Sequence, residues 1–210
     1  MQTFLIAAAV LSVERVFYVL ISRRPELLRR GPVSMDPVRI VQVAFYGFKV
    51  LQLIVFVWWC QVFGQGVLWP GHLSPAVIAG GITLIGIGQT LSTLVFVRLG
   101  PIGAFYGAEF GHAVKPVRAF PFSWFRHPQY VGAALTIWGI FLLLRFPEPD
   151  WIVLPALESI YFAIGARLER AGPHMQDREP GTVTVFQGAI HGGPAHRAPR
   201  IDPLTSVRDE

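Results

Sequence analysis

The chain is predicted to fold as an all-α, integral membrane helical bundle of about five transmembrane helices, the last two forming a tight hairpin. Two observations carry this. Of 210 residues, 52% are hydrophobic and only 15% are charged, with a mean hydropathy of +0.48, which excludes an ordinary soluble domain. The apolar residues also fall into five runs near the length, about 20 residues, that a helix needs to cross a bilayer.

The first run, Thr3 to Ser22, has no basic stretch before it and no small-residue cleavage pattern, so it reads as a retained helix and not a signal peptide. Arg39 to Phe63 and Pro75 to Val97 are the second and third. Gln129 to Phe146 and Trp151 to Leu168 follow, separated only by Pro147-Glu148-Pro149-Asp150, which reads as a hairpin turn. The membrane domain is thus expected to span residues 1–171. From 172 to 210 glycine, proline, histidine and arginine accumulate and apolar periodicity stops, as in a mostly disordered cytosolic tail. Within it Thr182 to Phe186 alternates like a strand, and His174, His191 and His196 read as solvated side chains. No metal site is assigned.

The net charge of +5 resides in arginines at membrane edges, where they set orientation; nucleic acid is not an expected partner. Arg23, Arg24, Arg29 and Arg30 follow the first span, and Arg98, Lys115, Arg118 and Arg126 follow the third. The positive-inside rule then puts the N-terminus outside, and both basic loops and the C-terminus in the cytosol. The loop 98–128 and the end of the fifth helix consequently share one face and are candidates to build one site. Glu14, Arg15, Lys49 and Glu158 fall inside spans, where charges are costly and should pair or face the interior. Lys49 is expected to pair with Glu14 or Glu158; the alternative puts Glu158 in a substrate pocket. The single cysteine, Cys60, lies in an apolar run and offers neither a disulfide nor a cysteine metal site.

Chemistry is expected at Phe120-Pro121-Phe122-Ser123-Trp124-Phe125-Arg126-His127-Pro128-Gln129-Tyr130-Val131-Gly132. Proline disfavours helix at His127 and can open the next helix, so Arg126 and His127 should sit just outside a helix N-terminus. Unpaired amides and the positive dipole end would add to Arg126, suiting a carboxylate or phosphate at headgroup level. Upstream, Gly86-Ile87-Gly88 lies in the third span and reads as helix packing or as a groove for a flat ligand. A glycine and aromatic segment, Leu99-Gly100 through Gly103 to Gly111, then breaks the helix.

In this order, Gly86-x-Gly88, Leu99-Gly100, the Gly103 to Gly111 segment, Phe120-Pro121-Phe122 and Pro128-x-Tyr130-x-Gly132 resemble the membrane phospholipid N-methyltransferases that convert phosphatidylethanolamine, or its mono- and dimethyl derivatives, toward phosphatidylcholine. The likeness covers roughly residues 80–170. The Arg126 to Tyr130 core also resembles the isoprenylcysteine carboxyl methyltransferases. The resemblance implies S-adenosylmethionine as methyl donor and no metal. It implies that Arg126, His127 and Tyr130 hold the methionine part of the donor, and that Glu169 holds its ammonium. Arg170 stands where the family often has a second acid, and Ala108, followed by Glu109, where many members carry aspartate. On this reading Gly86 and Gly88 admit the donor against helix backbone. His127, Glu109 or a water takes the proton that a lipid amine must lose before it attacks. Phe105, Tyr106, Trp124 and Tyr130 would hold the quaternary product by their ring faces, or serve as interfacial anchors. Alternatives are a prenylcysteine carboxyl methyltransferase and a non-catalytic lipid-binding scaffold. The membrane expected is the endoplasmic reticulum for a eukaryote, with the bacterial inner membrane as alternative.

Overall fold

A computed structural model describes residues 1–29, 35–64, 73–115 and 117–170, with residues 169 and 170 described by backbone alone. The expected tail, with its strand-like run and histidines, lies outside the described residues. The described helices are α1 (Gln2–Arg23), a short α2 (Glu26–Arg29), α3 (Pro37–Phe63), α4 (Pro75–Ala104), α5 (Pro128–Leu144) and α6 (Val153–Arg170), the last preceded by a 3-10 turn at Pro149–Ile152. The protein is a helical membrane bundle: α1, α3, α4 and the Pro149–Leu168 segment are each long and apolar enough to cross a bilayer.

Helix starts follow local chemistry. Asp36 accepts a hydrogen bond from the Val38 amide at 3.0 Å ahead of Pro37, and Ser74 accepts from Val77 at 3.4 Å ahead of Pro75, each a side-chain cap followed by a proline that has no N–H to lose. Within α4 the helix breaks at Gly100, where φ is +66°, a left-handed value glycine adopts without Cβ strain, and Pro101 follows. The third span therefore ends near its expected limit. The fourth expected span is the shortest: α5 has 17 residues, about 25 Å, against a hydrocarbon core of about 30 Å. It stops because Arg145 turns to Asp150, with Nε to Oδ2 at 3.0 Å and Nη2 to Oδ1 at 2.6 Å, which closes the hairpin. Trp59 Nε1 donates to the same Asp150 carboxylate at 2.9 Å and fixes the turn to α3.

α4 and α5 pack antiparallel along a glycine seam, Gly88 facing Gly132 and Gly81 facing Gly139. A Cβ on Gly88 would lie 2.5 Å from the Gly132 carbonyl oxygen, one on Gly132 2.6 Å from that of Gly88, and one on Gly139 2.7 Å from that of Gly81. Small residues permit such backbone contact, and in lipid, where burial adds little drive between helices, close packing is what holds them. Gln89 Nε2 donates to Thr136 Oγ1 across the seam at 3.3 Å.

α1 and α3 border two apolar clusters, one shared with α5 and α6 and the other with the end of α4, and a polar belt lies between them. One cluster holds Ala7, Leu11, Phe56, Trp59, Phe141 and Leu154; the other holds Tyr18, Ile21, Val41 and Phe105. Along α1 the belt residues Glu14 and Arg15 fall between these sets, as Lys49 and Gln52 do along α3. Lys49 Nζ lies 3.3 Å from Glu14 Oε1 and donates to Gln52 Oε1 at 3.1 Å. Gln52 Nε2 donates to Glu158 Oε1 at 2.8 Å, while Arg15 Nη2 lies 3.7 Å from both Glu14 Oε2 and Glu158 Oε2. Lys49 thus takes Glu14, and Glu158 takes Gln52 and Arg15, the pairing that buried charges require.

Candidate active site

The first turn of α5 forms one wall of an open cleft. His127 occupies the N-cap with φ −130° and ψ 68°, Pro128 is the first helical residue, and the His127 side chain makes no capping hydrogen bond to this end. The Tyr130 and Val131 amides both donate to the His127 carbonyl, at 3.1 and 3.2 Å. Just before it the chain makes a compact turn, with Phe122 N donating to Ala119 O at 2.9 Å and Phe125 N to Pro121 O at 3.0 Å. This turn carries Trp124 and Phe125 to the mouth of the cleft.

The cleft measures about 400 Å³ and is lined on this side by Trp124, Phe125, Arg126, His127, Tyr130, Val131 and Ala134. The opposite wall is the stretch 159–166 of α6: Ser159, Phe162, Ala163 and Ala166. His127 stacks on Tyr130 with centroids 5.7 Å apart and planes 15° apart, and Tyr130 meets Phe162 at 5.5 Å. Ser159 Oγ accepts from Trp138 Nε1 at 3.0 Å and donates to Pro155 O at 2.8 Å, so it links the walls. Trp124 is 79% exposed, and its ring meets Phe120 edge to face.

Four of the expected site residues, Trp124, Arg126, His127 and Tyr130, therefore share one cleft, against the end of the last helix. Glu169 lies in α6 three residues past Ala166; its side chain is outside the described residues. The others stand elsewhere. Gly86 is on the exposed face of α4, where a Cβ would meet nothing within 4 Å among the described residues, and its carbonyl accepts from Thr90 Oγ1 at 2.8 Å. Gly88 is in the seam, so the close approach it admits is that of α5. Phe105 is 3% exposed and packed on Phe45 and Phe96, its faces committed to the core. Tyr106, at φ +58°, stacks on Tyr18 at 6.0 Å. The Glu109 carbonyl accepts from Arg29 Nη2 at 2.9 Å, tying that segment to α2. None of these five lines the cleft.

The lining defines a ligand chemistry. A cation beside a helix N-terminus suits an anionic group. Ring faces suit a flat or cationic group, and the alanines of α6 leave it room. The volume is within the range of small-molecule sites. Sequence reasoning missed Ser159, Phe162, Ala163 and Ala166, although their three- and four-residue steps place them on one helical face that continues to Glu169.

These features define a polytopic helical membrane protein with a ligand-sized cleft at one end of its helices. Residues 76–178, which contain the whole cleft, match the phospholipid methyltransferase family. A stretch of 81 residues is 41% identical to the phosphatidyl-N-methylethanolamine N-methyltransferase of Arabidopsis thaliana, covering 36% of this chain and 49% of that protein. A stretch of 107 residues is 32% identical to the protein of the same name in Saccharomyces cerevisiae, covering 50% of this chain and 47% of the relative. The chain thus spans about half the length of the curated relatives it matches. No solved structure matches it.

Proposed function

We propose that the protein transfers methyl groups from S-adenosylmethionine to the amine of an ethanolamine phospholipid, or of its mono- and dimethyl forms, in the direction of phosphatidylcholine. The observation that carries this reading is the meeting of Arg126, His127 and Tyr130 with the end of α6 in one cleft, inside the family-matched stretch. The donor supplies an electrophilic methyl group on a sulfonium. Arg126 and the α5 N-terminus bind its carboxylate by charge and by amide dipoles, and Glu169 takes its ammonium. The rings of Trp124, Tyr130 and Phe162 exclude water and shelter cationic groups. His127 accepts the proton that the lipid amine releases; its position in the cleft favours it over Glu109, which does not line the cleft and whose carbonyl is bound by Arg29. Alignment of amine and donor supplies several kcal/mol, up to about 7–11 in favourable cases. The lipid enters sideways from the bilayer past exposed Trp124. By the distribution of basic loops the site faces the cytosol, on the endoplasmic reticulum if the source is eukaryotic.

The test is methyl transfer from labelled S-adenosylmethionine by purified protein in mixed micelles. Phosphatidylethanolamine, its mono- and dimethyl forms and a farnesylcysteine analogue are offered separately. Label in a methylated phospholipid is expected. Label only in the cysteine ester moves the protein to the sister reaction, and donor binding without any transfer rejects both acceptors.

A further inference from the structure

We propose that Arg15, on α1 and outside the family-matched stretch, is a positioning residue for the cleft: its guanidinium fixes the rings of Phe162 and Tyr130, so the first helix forms part of the donor site. This rests on the donor reading above. Arg15 is 8% exposed and does not line the cleft, yet its Cζ lies 4.1 Å from the Phe162 centroid and 5.6 Å from that of Tyr130. Both rings do line the cleft, so the arginine reaches it only through them.

The electrostatics are those of a group held by rings. Nη2 stands 3.7 Å from carboxylate oxygens of Glu14 and Glu158, beyond hydrogen-bond length, and neither Nε nor Nη2 has a hydrogen-bond partner among the described residues. Arginine–carboxylate pairs are frequently bidentate, a geometry this one does not have. Here the planar cation lies over aromatic faces instead, a contact that guanidinium makes and that a compact, more strongly hydrated ammonium reproduces poorly. Tyr130 passes the constraint on, because it stacks against His127 at 5.7 Å. One continuous series of contacts therefore runs from the polar belt to the α5 N-cap.

The experiment uses the full chain in detergent, measuring equilibrium binding of labelled S-adenosylmethionine, steady-state kinetics and thermal unfolding. Arg15→Lys keeps a cation between the two glutamates but loses the guanidinium over the rings. Its donor Kd and KM are expected to rise about tenfold, with kcat at saturating donor changed less than about threefold and unfolding little altered. A role limited to charge balance would leave donor affinity unmoved. Should Arg15→Lys not fold, the charge-balanced double variant Arg15→Met with Glu158→Gln removes that guanidinium and leaves no unpaired buried charge; the same loss of affinity is expected. Wild-type affinity in either folded variant overturns the proposal. A wild-type protein that binds no donor overturns the donor reading, and this proposal with it.

Discussion

Two contacts in this bundle solve the same problem in opposite ways. Along the α4–α5 seam, Gly81, Gly88, Gly132 and Gly139 bring backbone against backbone with no side chain between. Among α1, α3 and α6, the helices are joined by long polar side chains, Glu14, Arg15, Lys49, Gln52 and Glu158. Lipid is as apolar as leucine, so neither contact gains much from burial alone; one relies on close packing and the other on the cost of leaving a charge alone in a dry interior. The cleft lies where the two meet. Tyr130 is two residues from the seam glycine Gly132, and Ser159 follows the belt glutamate Glu158.

The comparison can be broken first at Glu158, which is 1% exposed. Glu158→Ala leaves Gln52 without its hydrogen-bond partner and Arg15 with one nearby carboxylate in place of two, and is expected to cost about 3–5 kcal/mol, read as a fall in unfolding midpoint, whereas Glu158→Gln should cost distinctly less. Next is the seam: Gly88→Ala places a methyl against the Gly132 carbonyl and should cost about 1–3 kcal/mol by denaturation in detergent. Arg126→Ala should leave the fold alone and weaken donor binding about tenfold, about 1.4 kcal/mol, measured by equilibrium binding. Smallest is Gly86→Ala, two residues from the seam position but facing open space, with a stability change within about 0.5 kcal/mol. If that folded variant loses donor binding, Gly86 keeps its expected part in the site; if binding is retained, it has none.

The spans are legible because the solvent they must match is legible: lipid demands apolar length, and composition reports it. The starts of α3 and α4 are readable in Asp36-Pro37 and Ser74-Pro75. Positions two apart on a helix are about 200° apart in azimuth, so Gly86 and Gly88 cannot serve the same neighbour, but sequence alone does not say which of them faces α5. Phe105 reads as interfacial because it follows helix-breaking glycines; the turn at Gly100 delivers it instead among Phe45 and Phe96, a choice made by tertiary packing. In the cleft, the α5 wall can be read from His127-Pro128, while the α6 wall carries only a faint signal, small residues at helical spacing. Lys49 with Glu14 is foreseeable from charge. The placement of Arg15 over Phe162 is not, since nothing local to either residue encodes it.

The knot of Trp59, Arg145 and Asp150 has a mechanical consequence. It pins the hairpin at its turn, the end farthest from the cleft, and the seam clamps α5 to α4 along its length. α6 leaves the same turn and is tied again by Gln52 to Glu158, by Trp138 to Ser159 and by Tyr161 to Ala8. The α6 wall of the cleft is therefore held from the turn as far as Tyr161, and the stretch from Phe162 to Ala166 borders the cleft beyond these ties.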